Sequence, residues 1–285
     1  MALACRSNSS SPNDAPARPT GCRPAVTTPL YRESSAMVRD VLAQQMGCTP
    51  GDYQSHQVTV VARPADSREP HVALVTTMGA GSVVSVRDVR LIAWAQEHAP
   101  SVNRNQQIFL PSFLEGMAGY ARELGFEGAK SHSASGGCVL AEELPAQPLP
   151  AGFTLRELSL EEAAALREDG RFDNALGEAD EQRRIARSRT AFAVTASDGS
   201  TAAVCGVWDQ YPGIDEIGLD VAREHRGSGL ASVLTIHAVH WIRRQGRWPI
   251  YTYGFTNVRS MNNALRCGFR PAWFLSAVYV PADMH

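Results

Sequence analysis

The sequence predicts an α/β protein, and three observations predict it. From residue 153 onward, strand-like and helix-period runs follow one another in the order β-α-α-β-β-β-α-β-α-β. An apolar run over Ile214 to Val221 passes through a glycine-rich turn into a helical pattern over Leu230 to Arg244. Ahead of these, residues 30–141 carry their own alternation of helix and strand patterns, and a Pro-rich stretch over 142–152 separates the two parts. The expected organisation is a disordered tail at 1–29, an N-terminal α/β domain at 30–141, a stiff linker at 142–152 and a second domain at 153–285.

Residues 1–29 are rich in Ser, Pro, Ala and Arg, with too little apolar surface to offset the entropy of ordering. From Leu30 to Gly47, Met37, Val38, Val41, Leu42 and Met46 recur at helical spacing, and Gly47 suits the C-cap. Strands are expected over His56–Arg63, His71–Met78 and Ser82–Arg87, the last two joined by a hairpin turn at Gly79-Ala80-Gly81. Asp88 caps a helix that stops before Pro100, and a further helix spans Phe113–Leu124. Val139 and Leu140 belong to a last short strand of this half.

In the second half Phe153–Leu158 reads as a strand. Ser159 with Glu162 three residues on forms a capping box for a helix through Arg167. A second helix is expected over Asp180–Arg189. Ala191–Ala196 and Ala202–Asp209 are strands joined through the turn at Ser197-Asp198-Gly199-Ser200. After Ile214–Val221 and the long helix come a strand at Pro249–Phe255, a helix at Val258–Cys267 and a final strand at Ala272–Val280.

Composition excludes several classes. The chain of 285 residues is 44% hydrophobic and 20% charged with net charge −2, which gives no electrostatic footprint for nucleic acid or membrane. No apolar run approaches the ~20 residues of a bilayer span, and a cytoplasmic location is expected. Six scattered cysteines form neither a disulfide framework nor a metal-ligand spacing, so no metal is expected. Cys205 and Cys267 read as small core residues.

The turn Val221 to Ala231 organises the rest. Gly227 and Gly229 tolerate positive φ and let a ligand approach the backbone. The helix start behind them offers unpaired N–H groups and the positive end of its dipole, and Arg226 adds charge: the makings of a pyrophosphate seat. It is neither a G-x-G-x-x-G turn placed directly after the strand nor a Gly-Lys-Ser/Thr loop. Arg226-x-x-Gly229-x-Ala231 resembles the acetyl-CoA pyrophosphate motif of the GCN5-related N-acetyltransferase (GNAT) family. About 35 residues on, Asn257-Val-Arg-Ser260-Met-Asn-Asn-Ala264-Leu-Arg-Cys-Gly268-Phe269 resembles that family's second motif, in the same order. The resemblance covers roughly Gly152 to the C-terminus. It implies the acyl-CoA N-acyltransferase fold, a mixed and mostly antiparallel sheet flanked by helices, with the N-terminal half either a degenerate repeat of that fold or an unrelated domain.

The resemblance also implies a function: an N-acetyltransferase with acetyl-CoA as co-substrate and a small-molecule primary amine as acceptor, attacking the thioester directly, with a second copy of the chain as a candidate partner. Arg226, Gly227, Ser228, Gly229, Leu230 and Ala231 would hold the pyrophosphate, backbone groups of Leu219 and Val221 the pantetheine arm at a splay between strands, and Asn257 the same arm or a helix cap. Glu216 corresponds to a strand carboxylate that serves as base; a structural ion pair is the alternative. The motif tyrosine is replaced by Ala264, leaving water, Ser260, Tyr251 or Tyr253 to protonate the thiolate, or no acid at all. Trp208, Asp209, Tyr211 and Tyr253 are the acceptor candidates, with Asp209 among aromatics suited to a cationic amine. His237 lies on the apolar stripe of the long helix and reads as core. The rival functions are a non-catalytic acyl-CoA sensor, and transfer of a longer acyl group for which Gly218 would leave room.

Overall fold

The computed structural model describes residues 28–100, 107–177 and 182–281. The tail expected over 1–29 lies outside them as far as residue 27. Thr28 and Pro29 already belong to the first helix: Thr28 Oγ1 accepts from the Tyr31 N–H at 3.1 Å, and Pro29 opens α1 (Pro29–Met46). Gly47 ends it in the left-handed region at φ 79°.

Next come β1 (Val58–Ala62), β2 (Ala73–Thr77), β3 (Ser82–Val86), α2 (Arg90–His98), α3 (Pro111–Glu123), the two-residue β4 (Lys130–Ser131) and β5 (Ser135–Leu140). The second half runs β6 (Phe153–Glu157), α4 (Leu160–Glu168), α5 (Asp173–Leu176), α6 (Gln182–Ala186), β7 (Ser188–Ala196), β8 (Thr201–Tyr211), β9 (Ile214–Val221), α7 (Leu230–Arg244), β10 (Trp248–Gly254), α8 (Val258–Arg266) and β11 (Phe269–Tyr279). The Ser159–Glu162 capping box is present at α4. The single helix expected over Asp180–Arg189 is shorter. Ser188 and Thr190 already pair with β8, and the four-residue α5, too short to show a period, precedes it.

All described strands lie in one sheet of order β1-β3-β2-β11-β5-β10-β9-β8-β7-β6, with β4 at the side of β11. It is antiparallel except at β1–β3 and β9–β10. The Pro-rich stretch at 142–152 divides the chain but not the sheet. β5, from the first half, lies between β10 and β11 of the second, with Ile250 opposite Val139 on one side and Phe269 opposite Leu140 on the other. Only Val139 and Leu140 of β5 were legible as strand. Its first residues, Ser135-Gly136-Gly137, have low strand propensity, and the packing explains them. A Cβ on Gly136 would fall 2.4 Å from the Tyr253 ring, and one on Gly137 1.9 Å from the Trp273 ring.

One core lies between the sheet and α7–α8, built from Leu230, Leu234, Ile242, Tyr251, Ala264 and Phe269. A second, around Leu91, Met117 and Val278, seats α2 and α3. A third packs α1 across the sheet at Leu42, Val139 and Trp273, so both halves share apolar interior. Among the described residues no helix is long and apolar enough to cross a membrane.

Candidate active site

The site begins where two parallel strands part. β9 and β10 pair over only three rows, Ile214–Trp248, Asp215–Pro249 and Glu216–Ile250. Beyond them β9 stays with β8 as far as Val221 opposite Ala203, while β10 stays with β5 as far as Gly254 opposite Ser135. The facing edges of residues 217–221 and 251–254 therefore diverge into a V. Its closed end is pinned by fully buried Asp215, which receives Arg247 Nε at 2.7 Å and lies 3.3 Å from Arg189 Nε. Arg247 also binds Asp209. Such a buried cluster is costly to break from one side only.

The open arm of the V leads to the turn before α7. Gly227 and Gly229 hold φ of 88° and 85°, and Gly229 is the N-cap. No atom lies within 4 Å of where a Cβ would stand on either glycine. The N–H groups that open α7 carry its positive dipole end, and that of Ser232 already donates to the Gly229 carbonyl at 3.1 Å. An uncrowded backbone cradle with a cation beside it fits a pyrophosphate. Arg226 is fixed by donating from Nε to the Val221 carbonyl at 3.3 Å. All nine residues expected on the cofactor side line one cavity of about 1090 Å³: Leu219, Val221, Arg226 to Ala231, and Asn257. Asn257 also caps α8, its Oδ1 accepting from the Ser260 N–H at 3.1 Å.

Glu216 sits at the apex of the V in the row Ser188–Trp208–Glu216–Ile250 that crosses four strands. Thr252 Oγ1 donates to its carboxylate. Burial pushes the carboxyl above the usual glutamate range, with Thr252 and the nearby Arg184 offsetting only part of that. On the other wall Ser260 Oγ donates to the Tyr251 hydroxyl at 3.2 Å. Burial raises the Tyr251 phenol as well. Ala264 is fully buried behind this pair, packed in the same core as Tyr251.

The structure divides the expected acceptor residues. Trp208 and Tyr253 line the cavity. Asp209 and Tyr211 do not face it. The Asp209 carboxylate is held by Arg68 at 2.8 Å and by Arg247, and the buried Tyr211 hydroxyl donates to Glu69. Both brace the loop ahead of β2 instead of presenting a free carboxylate to an amine. That loop was missed by sequence reasoning, yet Arg68, Glu69, Pro70 and His71 line the cavity beside Glu216, Arg184, Arg187 and Thr252. Its signal was available: three charged or titratable residues, Arg68, Glu69 and His71, fall within four positions at the approach to a strand. The Glu69 carboxyl stays below its usual range: burial alone would raise it, but bonds from His71 and Tyr211 and the charge of Arg63 prevail. Arg63 reaches this loop from beneath, donating to the His71 carbonyl at 2.5 Å.

The side-chain position on Gly218 is already filled, so the missing side chain by itself opens no space. A Cβ there would lie 2.0 Å from the Asn174 carbonyl and 2.5 Å from the Trp208 ring. Gly206, its cross-strand partner, is crowded in the same way by Ala175, so the glycine pair seats α5 against the sheet. Asp220 fastens α5 there, accepting from the Ala175 N–H at 2.9 Å. His237 stacks edge-on against Phe192 with centroids 4.7 Å apart, and burial lowers its pKa; it packs on the helix outside the cavity.

The model of the acetyltransferase (GNAT) family matches residues 154–269. No curated protein matches the chain. Among solved structures, a GCN5-related N-acetyltransferase from Kribbella flavida is 22% identical with a TM-score of 0.40, covering 59% of this chain and 67% of its own. A GNAT-family acetyltransferase from Colwellia psychrerythraea is 16% identical with a TM-score of 0.40, covering 56% and 61%. A GCN5-related N-acetyltransferase-like protein from Streptococcus suis is 16% identical with a TM-score of 0.46, covering 75% and 86%.

Proposed function

Residues 154–269 are an acetyltransferase domain of the GNAT family, and from that premise we propose that the chain is an acetyl-CoA-dependent N-acetyltransferase acting on the primary amine of a small molecule. One observation carries the reading. A single cavity of about 1090 Å³ joins the glycine cradle before α7, the parted edges of β9 and β10, and the Glu216 carboxyl at their apex.

When bound, acetyl-CoA supplies a thioester whose acetyl carbon the amine nitrogen bonds as the C–S bond breaks and the thiolate leaves with its electron pair. The chain does the rest. Within the turn Arg226 to Ala231, the backbone N–H groups of Gly227, Gly229, Leu230 and Ala231 would hold the pyrophosphate, those of Arg226 and Ser228 donating to the Arg223 and His225 carbonyls. The free edge at Leu219 and Val221 would pair with the amide-bearing arm. Glu216 takes the proton that the amine loses; a carboxyl raised by burial is a stronger base than an ordinary glutamate. Tyr251 stands where it can return a proton to the departing sulfur. It accepts from Ser260, so its own O–H remains free to donate, and Ser260 is a positioning residue acting through it. A cytoplasmic setting belongs to the same proposal, since the reaction draws on acetyl-CoA.

The test is acetyl-CoA binding by calorimetry followed by thiol release over a panel of amines. Binding with amine-dependent release supports the transferase; binding with no release from any amine supports a non-catalytic sensor; absence of binding removes the seat at Arg226–Ala231. Within the transferase, Tyr251→Phe is expected to lower kcat by a factor on the order of 10², and Ser260→Ala by less. A Tyr251→Phe enzyme with full kcat would show that the thiolate leaves unprotonated.

A further inference from the structure

Subtracting the charges that the fold already satisfies leaves two at the acceptor end of the cavity. Arg68 is paired with Asp209 at 2.8 Å. Glu69 is bonded by Tyr211 and by His71 Nδ1 at 3.1 Å. Arg184 lies 3.7 Å over the Trp208 ring and donates to the Asn174 carbonyl. Glu216 remains, held by one hydroxyl and given to proton transfer. Arg187 remains as well. It lines the cavity and is half-buried, and among the described residues its guanidinium has neither a hydrogen bond nor an ion pair. A half-buried guanidinium that lines a cavity with no anion bonded to it has given up part of its hydration for nothing within the protein. The site is therefore complementary to a ligand that brings the anion.

The register fixes how far apart the two charges stand. Ser188, next to Arg187, is opposite Trp208, and Trp208 is opposite Glu216. Adjacent strands lie about 4.8 Å apart, so Arg187 begins about two strand spacings from the base. Its backbone is fixed, because the Arg187 carbonyl accepts from the Asp209 N–H at 2.9 Å. The other arginines of the cavity, Arg226, Arg259 and Arg266, lie on the turn before α7 and on α8, the side we assign to the cofactor.

We propose that the acceptor is an amino acid or a close relative: its amine lies at Glu216, and its carboxylate is read by Arg187. A guanidinium fork matches a carboxylate in two parallel N–H···O bonds, which a point charge does not. The acceptor's free carboxylate is retained in the product, an N-acetyl amino acid, while the amine proton passes to Glu216 and the thiolate leaves. This substrate class rests on the transferase reading above.

The test is steady-state CoA release at saturating acetyl-CoA, with acceptors in matched pairs differing only at the carboxylate: glycine and glycinamide, β-alanine and β-alaninamide, lysine and lysinamide. An amide makes its neighbouring amine less basic, so ease of deprotonation alone favours the amide. A preference for the acid thus reports the anion site. The expected kcat/KM ratio of acid to amide in the best pair is tenfold or more, as a charge-assisted pair gives. Arg187→Ala and Arg187→Gln should each bring that ratio close to one, mainly through KM of the acid, whereas Glu216→Gln lowers kcat for both members. Equal turnover of acid and amide in every pair overturns the proposal, as does a preference that the Arg187 variants retain. Either result leaves the transferase standing. Acetyl-CoA binding with no CoA release from any acid or amide overturns the transferase reading and this substrate class together.

Discussion

Glu216→Gln is expected to lower kcat by a factor on the order of 10² to 10⁴, the usual contribution of a positioned general base. Gln keeps the volume and can still accept from Thr252, so the apex of the V retains its shape. The proposed acetyl-CoA seat is the turn before α7, so the affinity should be unchanged by calorimetry. The pH dependence has a definite sign. As the proposed base, Glu216 works only when ionised, and burial raises its pKa. The acid limb of kcat/KM should therefore lie above the ordinary glutamate value of about 4.3, with activity rising as pH passes through it. The Gln variant should lack that limb. Stability runs the other way. A carboxyl with a raised folded pKa gives the fold an advantage below its unfolded pKa, and that advantage is lost as pH rises through the folded value. At neutral pH the native carboxylate thus weighs against the fold, and the neutral Gln variant should unfold at the same or a higher temperature. A variant that is stable, binds acetyl-CoA and turns over at the wild-type rate would remove Glu216 from the mechanism.

What was legible in the sequence is what is local. The positive φ at Gly227 and Gly229, the helix start at Leu230, the Asn257 cap and the Ser159–Glu162 box each sit within a few residues of their own cause. The element order followed from periods and turns in the same way. The acceptor side did not, because its parts meet only through the sheet. Arg68 reaches Asp209 across 141 positions and Tyr211 reaches Glu69 across 142, so no window of sequence holds both partners. Asp209 showed an acidic residue between Trp208 and Gln210, and nothing in that neighbourhood announced the two arginines that occupy it. The occupant of the side-chain position on Gly218 was hidden for the same reason: the carbonyl there belongs to Asn174, in a helix too short to carry a period. Arg187 was hidden inside what read as the end of a helix.

The strand least visible in the sequence leads to the second large effect. A chain beginning at residue 142 retains all of the segment that the family model matches, yet it should neither unfold cooperatively nor bind acetyl-CoA. β5 supplies five rows of pairing to β10 and six to β11. Without it those two strands face each other across an empty strand position with their backbone groups unpaired, and fully buried Cys138, Val139 and Leu140 vanish from the interior. β11 would also lose its five rows with β2. Unpaired edges of this length promote aggregation. The loss reaches the site directly, because β5 is what holds β10 away from β9 beyond Ile250 and keeps the V open. Residues 28–141 added as a separate polypeptide should restore both properties by strand addition. A single substitution separates this from a general effect of truncation. Gly137→Val places side-chain atoms where the Trp273 ring lies and should cost about 1–3 kcal/mol by overpacking, read as a lower denaturation midpoint at unchanged slope. A 142–285 fragment that unfolds in one cooperative transition and binds acetyl-CoA with full affinity would show that the second half closes its sheet without the strand lent by the first.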